Sequence, residues 1–316
     1  MMQGSFSELE YESKKRKTRR ELFLEEMESV MPWSLLMEVI RPCYPRTGGV
    51  GRQPKGLNSM LRIHCMQHWF NYSDRQMEDA LYEIESIRRF AGYSRVTDAL
   101  PDESTILKFR HLLEKHHLTA EILNVINNHL EQCGIQVSKG SMVDATIIHA
   151  PSSTKNSSGT RDPEMHQTRK GKQWYFGMKV HVGADVNSGA VHSVTVTPAN
   201  KADIDELPKL LRAEDEVVFA DAGYTSDAYK RGARHLGIRW CVNDKRKSKK
   251  NLSSSQRRRN RKQSSVRSRV EHIFRVVKRQ FGFEKTRYRG LAKNASQVNM
   301  LMALANIYML RKRLAA

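Results

Sequence analysis

Three acidic residues lie at positions where a carboxylate is energetically unfavourable unless it has a chemical role. Asp144 interrupts an apolar, β-rich run, Asp221 ends another apolar run, and Glu271 is an isolated acid in a long basic stretch. A charged carboxylate in or beside a core element is unfavourable unless it is paired or bound to a metal. Carboxylate oxygens are the ligands that Mg²⁺ prefers, and two such ions about 3.5–4 Å apart can catalyse phosphoryl transfer. We therefore predict that Asp144, Asp221 and Glu271 are catalytic residues and hold two Mg²⁺ ions, with Mn²⁺ as a possible substitute.

Glu271 lies in a segment, residues 264–281, that has the period of one amphipathic helix. Apolar residues recur at steps of three and four along it: Val266, Val270, Ile273, Phe274, Val277 and Phe281. At about 100° per residue, an adjacent strip carries Arg267, Glu271, Arg275 and Lys278. Taken alone, Glu271 could equally be the ion-pair partner of Arg267 at the i,i+4 spacing, which stabilises a helix by only about 0.2–0.5 kcal/mol.

The two Asp residues belong to strands of a predicted mixed sheet. From residue 141 onward the pattern is strand, strand, strand, helix, strand, helix, strand, helix, helix, with a turn signal at Val186–Gly189. We predict strands over 141–149, 174–185, 190–197, 216–221 and 238–242, a helix over 203–212, and a loop over 151–168. This order matches the ribonuclease H-like architecture, in which the strands of Asp144 and Asp221 are neighbours. The predicted fold class is thus α/β, a ribonuclease H-like mixed-sheet catalytic domain preceded by an all-α N-terminal domain.

The domains are predicted from changes in period and composition. Residues 1–46 form a basic N-terminal arm and helix, residues 47–138 a helical domain, and residues 139–316 the catalytic domain. The helices before residue 139 are compatible with a helix-turn-helix-like DNA reader or with a plain bundle. Residues 245–262 contain ten Lys and Arg and no acid, so 244–263 is interpreted as a mobile basic loop that contacts phosphates.

The composition indicates a soluble protein with a polyanionic partner. The 316 residues carry a formal charge of +20, with 39% hydrophobic and 28% charged residues. Such a surplus of cations is typical of nucleic-acid binding. The four scattered cysteines favour a reduced, cytoplasmic setting, and no apolar run is long enough to span a bilayer.

These motifs together resemble the DDE transposases of bacterial insertion sequences, specifically the insertion sequence five family within the insertion sequence four/five-like transposases. Asp144 in Val-Asp-Ala-Thr and Asp221 in Ala-Asp-Ala-Gly-Tyr match the first two acids. Glu271 matches the third, within a signature that also contains Arg267 and Lys278 but has Ser264 where the family has Tyr. The segment Trp174–His181 and the run Arg287-Tyr-Arg-Gly are also similar to the family. The resemblance covers roughly residues 48–314.

The resemblance implies a reaction and its partners. The expected activity is metal-dependent cleavage at the ends of an insertion sequence, followed by transfer of the 3′-OH into target DNA. The partners are double-stranded DNA, namely terminal inverted repeats and target, and a second copy of the chain when assembled on DNA. A cytoplasmic, nucleoid-associated location in a bacterium follows. The residues expected to contact DNA are Lys179, Arg257, Arg258, Arg259, Arg261, Arg267, Arg275 and Lys278.

Two other functions remain open at this point. One is a ribonuclease H-like nuclease that cuts without joining, and the other is a DNA-binding protein without strand-transfer activity. Three nearby histidines, His149, His181 and His272, are interpreted as structural or DNA-contacting, because a metal-bound water needs no side-chain base.

Overall fold

The computed structural model describes residues 14–46, 48, 53–94, 98–135, 138–156, 159–246 and 251–315. Residues 1–13 of the predicted arm and most of the glycine-rich linker at 47–51 lie outside this part. The N-terminal helices are α1 (Arg19–Val30), α2 (Trp33–Ile40), α3 (Leu57–Trp69), α4 (Asp74–Glu83), α5 (Glu85–Phe90), α6 (Glu103–Lys115) and α7 (Leu118–Gln132).

The elements that follow form a sheet and its flanking helices. The strands are β1 (Gly140–His149), β2 (His166–Lys170), β3 (Gln173–Asp185), β4 (Val191–Pro198), β5 (Val217–Ala220) and β6 (Arg239–Val242). The helices are α8 (Leu207–Leu210), α9 (Asp227–His235), α10 (Ser254–Arg267), α11 (Arg269–Arg275) and α12 (Leu291–Leu314). Short 3₁₀ turns cover Arg41–Cys43, Asp203–Glu206 and Ala222–Tyr224, and a π-turn covers Val276–Gln280.

The sheet is mixed, as its sequence pattern predicts. Its order is β2-β3-β1-β5-β6, and β4 pairs with β3. β3 is antiparallel to β1 and β4, whereas β5 is parallel to both β1 and β6. The apolar run of β5 is therefore a central, buried strand. The strands of Asp144 and Asp221 are neighbours, which confirms the predicted pairing.

The predicted loop over 151–168 is wrong at its C-terminal end, because β2 starts at His166 and pairs with β3. The sequence of this strand, His-Gln-Thr-Arg-Lys, contains no alternating apolar residues, and most of its side chains are exposed. The helix predicted over 203–212 is a 3₁₀ turn followed by the single-turn helix α8.

Helices cover both faces of the sheet. One face packs Val143, Val218 and Tyr224 against α8 in a small cluster. The other face packs residues such as Met178 and Val180 into a large core that also includes α12 and the N-terminal helices. Helix α12 contacts α7, α1 and β4, so the residues before and after the predicted domain boundary share this core. The boundary itself stays a prediction.

The helix predicted over 264–281 is broken at Ser268. α10 ends at Arg267, α11 begins at Arg269, and a π-turn follows from Val276. The predicted apolar face is nevertheless buried, with Val270, Ile273 and Phe281 at most 2% exposed. Each such side chain contributes about 1.5–3 kcal/mol when it is fully buried.

The predicted basic loop over 244–263 is also wrong for most of its described length, since α10 starts at Ser254. A capping box joins Ser253 and Gln256 at its N-terminus. Asn260 exchanges hydrogen bonds with the backbone of Asp244, at 2.9 and 3.1 Å, and so holds α10 against the end of β6. These contacts replace the apolar stripe that the segment lacks.

The buried side chain of His68 on α3 predicts a pH-dependent free energy of unfolding. Burial, then Arg287 and Arg110, lowers the pKa of His68 to about 4 despite a 2.8 Å contact with the carbonyl of His64. A His side chain in the unfolded chain has a pKa near 6.5. Between that pH and about 4, His68 therefore binds a proton in the unfolded chain but not in the folded one. Stability is therefore expected to fall as pH decreases from about 6.5 to about 4, with His68 contributing about 2 kcal/mol between pH 7.5 and 5.

Urea denaturation at these two pH values, on the natural protein and on His68→Gln, measures this contribution. The variant should lose less stability on acidification than the natural protein. Equal losses would mean that His68 is protonated in the folded state.

No helix in the described part of the chain is long and apolar enough to cross a membrane.

Candidate active site

Asp144 lies in the middle of β1, where the sheet positions it beside the end of β5. The parallel pairing of these strands runs to Met142 opposite Phe219, and Asp144 and Asp221 each lie two residues farther along. The two acids therefore leave the same end of the paired region, as parallel neighbours do. The Oδ1 atom of Asp144 accepts a hydrogen bond from the amide of Ala145 at 2.9 Å.

Asp221 starts the tight turn that follows β5. Its Oδ1 accepts a hydrogen bond from the amide of Gly223 at 2.8 Å. A Cβ atom at position 223 would lie 2.9 Å from that oxygen, closer than side-chain atoms normally approach. Glycine thus allows the turn to close on the carboxylate and hold its orientation.

Glu271 lies in the first turn of α11 and is linked to Asp144 through Arg267. The guanidinium of Arg267 donates through Nη1 to Oδ2 of Asp144, and its Nη2 lies 3.7 Å from Oε1 of Glu271. Arg267 and Asp144 are largely buried, whereas the side chain of Glu271 is 63% exposed. The break at Ser268 separates Arg267 from Glu271 onto two helices while keeping both at the sheet edge.

The charges of this site act on Asp144. Burial raises the pKa of its carboxyl to about 6, Arg267 opposes that rise, and Asp221 and Glu271 reinforce it. The three acids therefore share one electrostatic environment although they come from three elements. Their catalytic and metal-binding roles stay predictions.

The expectation that all three carboxylates lie within reach of one metal ion is not met. Among the described residues, no three His, Cys, Asp or Glu side chains are placed to share an ion. Like charges repel, and the guanidinium of Arg267 lies between Asp144 and Glu271 as their counter-charge. The donor chemistry nevertheless fits Mg²⁺. The carboxylate of Asp144 already pairs with a positive group, the guanidinium of Arg267, and two further carboxylates lie nearby.

The cations predicted to contact DNA fall into two groups. Exposed ones are Arg257, Arg258, Arg259 and Arg261 on α10, and Arg275 on α11. Of these, Arg259 donates through Nε to Asp244 at 3.1 Å.

The second group consists of cations with protein partners. Arg267 belongs to it through Asp144. Lys278 donates to the carbonyl of Ile147 at 2.8 Å and so ties the π-turn to β1. Lys179 donates to the carbonyl of Lys201 at 2.7 Å and lies 2.9 Å from Oδ1 of Asp203. The DNA contacts of these three residues stay predictions.

The structure adds Asp203, which sequence reasoning missed. It lies beside buried His181, whose Nε2 is 2.8 Å from Oγ1 of Thr197 and whose Nδ1 is 3.8 Å from Asp203. Asp203 is also the strongest charged influence on Tyr224, whose hydroxyl is buried without a hydrogen-bond partner among the described residues. The network thus adjoins the turn that starts at Asp221. No local pattern marks Asp203, since it reaches this place only through the turn after β4.

The three histidines lie in different surroundings. His181 is fully buried in the network just described, which supports its structural interpretation. His149 is exposed at the end of β1, with its ring 5.2 Å from that of Tyr175. His272 is exposed on α11.

The residue that replaces the signature Tyr has a contact of its own. The hydroxyl of Ser264 accepts a hydrogen bond at 2.9 Å from the side-chain amide of Asn243, just after β6. Ser264 therefore helps to hold α10 against the sheet.

Comparison with known proteins places both parts of the chain. Residues 136–307 match the family described as "Transposase DDE domain", and residues 11–112 match the family described as "Transposase domain (DUF772)". One solved structure, a cryo-EM structure of the piggyBac transposase synaptic complex with hairpin DNA, aligns with 95% of this chain and 76% of its own, at 9% identity and a TM-score of 0.47. The first match spans more than half of the 316 residues and contains all three acids, so the chain belongs to the DDE transposase family.

Proposed function

We propose that this transposase cuts DNA at the ends of a bacterial insertion sequence of the insertion sequence five family and joins the freed 3′-OH to target DNA. The observation that carries the proposal is the parallel pairing of β1 with β5, which puts Asp144 beside Asp221 under the helix of Glu271. Membership of the DDE transposase family supports the same reaction. The sheet order, antiparallel on one side of β1 and parallel on the other, supports a ribonuclease H-like fold for residues 139–316.

The roles of the side chains follow from their chemistry. Asp144, Asp221 and Glu271 would hold the metal ions. Bound Mg²⁺ supplies activation of the attacking oxygen and stabilisation of the leaving one, and Mn²⁺ has the same preference for oxygen ligands. Asp221 is held in place by the amide of Gly223, so it offers a fixed ligand. Arg267 neutralises Asp144 in this structure and would exchange that carboxylate for a DNA phosphate.

The remaining parts of the proposal concern partners. Residues 47–138 would bind the terminal inverted repeats or dimerise, and the helices of α1 to α7 are the part of the chain available for this. The active form would be a homodimer on DNA, in the nucleoid of a bacterial cytoplasm. The +20 charge supports a DNA partner.

A plasmid assay tests the proposed reaction. The substrate carries the inverted repeats that flank the gene, and a second plasmid serves as target, with and without Mg²⁺. Excised element together with joined product supports the transposase. Cleaved ends that are never joined would indicate a nuclease, and binding without cleavage would indicate a DNA-binding protein without catalytic activity.

The exposed cations of α10 should contribute to DNA affinity through phosphates. Arg257, Arg258 and Arg261 are solvent-exposed on α10, and none of them pairs with an acid in the described part of the chain. Replacing all three by Gln should reduce the slope of log affinity against log salt by about three, because each phosphate contact contributes about 0.9. Fluorescence anisotropy with duplex DNA measures the change, at salt concentrations from about 50 to about 300 mM.

Arg259→Gln is the matched control, because this guanidinium is already held by Asp244. Arg259→Gln should change the salt slope of DNA affinity less than Gln does at any one of positions 257, 258 and 261. A triple variant with the slope of the natural protein would show that α10 does not contact DNA.

A further inference from the structure

A two-stranded ribbon projects from the sheet next to the candidate active site. β3 is longer than its neighbours: β1 ends at His149 opposite Gly177, and β4 ends at Pro198 opposite Met178. Over Gln173–Tyr175, β3 pairs only with β2 among the described strands. A tight turn at Gly171, which has a φ of +64°, closes the ribbon opposite the sheet. We call residues 166–176 the β2–β3 ribbon.

The ribbon carries cations and an exposed aromatic side chain. Arg169, Lys170 and Lys172 lie at or near its tip, and no acid occurs between Glu164 and Asp185. Trp174 is 64% exposed, and the guanidinium of Arg169, its cross-strand partner, lies 5.9 Å from its ring. A large apolar ring kept in water beside cations is unfavourable in isolation and suits a partner that offers both phosphates and stacking surfaces.

The base of the ribbon is firmly held. Asp162 and Glu164 accept hydrogen bonds from the amides of Gly290 and Leu291, at 2.7 and 2.6 Å, and so cap the N-terminus of α12. The guanidinium of Arg161 lies 5.5 Å from the centroid of the Phe176 ring. The two acids that precede the ribbon are thereby used within the protein, and the cations of the tip remain exposed.

The ribbon is aligned with the catalytic acids. Side chains two residues apart share one face of a strand, so Trp174 lies on the face of β3 that carries Val182. Val182 pairs with Asp144 across the antiparallel ladder, and such partners point to the same face. Val182 lies eight positions along the strand from Trp174, which corresponds to about 27 Å. This is the length of about eight base pairs of DNA.

We infer that the β2–β3 ribbon is a second DNA-binding surface, which grips duplex DNA within about eight base pairs of the phosphate that is cut. Arg169, Lys170 and Lys172 contact phosphates, and the indole of Trp174 packs against the sugars and base edges of a groove. A two-stranded ribbon has the width that the major groove admits. The inference rests on the proposed function, because it assumes that DNA lies at the acids. A second copy of this chain is a poor occupant, since it carries the same +20 charge.

Two experiments on the full chain test the ribbon. In the first, the photo-crosslinking residue benzoylphenylalanine replaces Trp174 or, as a control, Leu236, which is 75% exposed and lies at the end of α9. A labelled duplex with the inverted-repeat end is the probe. Position 174 should crosslink to DNA within about eight base pairs of the cleavage site, and position 236 should not. No DNA adduct at 174, or an adduct to a second protein copy, would overturn the inference.

In the second experiment, Arg169, Lys170 and Lys172 are replaced by Gln together. The control replaces Arg231, Lys312 and Arg313, which are exposed elsewhere, and so removes the same charge. The ribbon variant should reduce the salt slope by about two to three and weaken duplex binding at least about tenfold more than the control. Equal effects of both triples, with binding by the natural protein intact, would overturn the inference alone. A natural protein that binds no duplex would overturn the proposed function as well.

Discussion

Glu271→Gln should abolish both end cleavage and strand transfer while DNA binding stays close to that of the natural protein. The substitution keeps the size and helix propensity of the side chain and removes its charge. Without that charge the site loses a ligand for the ions that carry phosphoryl transfer. We expect a loss of rate of at least about 10³-fold, equivalent to about 4 kcal/mol of transition-state stabilisation.

The structure also supports a purely structural role for Glu271, as an ion-pair partner. The same variant distinguishes this role from a catalytic one. Its carboxylate lies 3.7 Å from Arg267 and is 63% exposed, so as an ion-pair partner it would contribute only about 0.2–1 kcal/mol. In that case the variant would be slightly less stable and nearly fully active. Activity within a few-fold of the natural protein would remove Glu271 from the catalytic set.

Glu284→Gln is the matched control. Glu284 is also exposed, lies beyond the end of α11, and pairs with Arg279 at 2.8 Å. It should lose no activity and little stability, because surface ion pairs contribute little. Cleavage, strand transfer from pre-cut ends, and duplex affinity should be measured for both variants. A binding defect in Glu271→Gln as large as its activity defect would contradict a purely catalytic role.

Arg212→Ala should produce the largest loss of stability among single changes outside the apolar core. The guanidinium lies 2.9 Å from Oδ1 of Asp215 and 3.6 Å from Oδ2 of Asp185. It also donates to the carbonyls of Ser138 and Gly140, at 2.8 and 3.2 Å. Both carboxylates are at most 3% exposed. Removing the cation from two buried acids is expected to cost about 3–5 kcal/mol.

This network matters because it fixes the start of the strands that carry the catalytic acids. Ser138 and Gly140 lead into β1, Asp185 closes the turn after β3, and Asp215 precedes β5. The hydroxyl of Ser141 also donates to Asp215. The alignment of β1 with β5 that brings Asp144 beside Asp221 therefore begins at Arg212.

Urea denaturation measures the loss, with Arg279→Ala as the control. Arg279 is 78% exposed and pairs with one surface acid, so its removal should cost less than about 0.5 kcal/mol. Arg212→Lys should recover part of the stability, because an ammonium keeps the charge and loses the forked geometry. A loss below about 1 kcal/mol for Arg212→Ala would mean that the two acids are satisfied without it.

Much of the fold and the candidate site follows from the sequence, because both are written in local patterns. Alternating and continuous apolar runs locate β1, β3, β4, β5 and β6, and an Asp inside an apolar run is conspicuous wherever it occurs. The order of those strands restricts the topology enough to make the strands of Asp144 and Asp221 neighbours. The buried face that runs from Val270 to Phe281 is likewise set by its period.

Tertiary structure decided the features that depend on contacts between distant residues. Helix α10 has no apolar stripe, and its only local signal is the capping pair of Ser253 and Gln256; contacts with Asn243 and Asp244 hold it in place. The ion pair of Arg267 with Asp144 joins residues far apart in the chain, so no spacing rule predicts it. Strand β2 forms because β3 extends beyond its other neighbours and offers it an unpaired edge. A sequence pattern records which face of an element is apolar, whereas only packing determines which charge meets which.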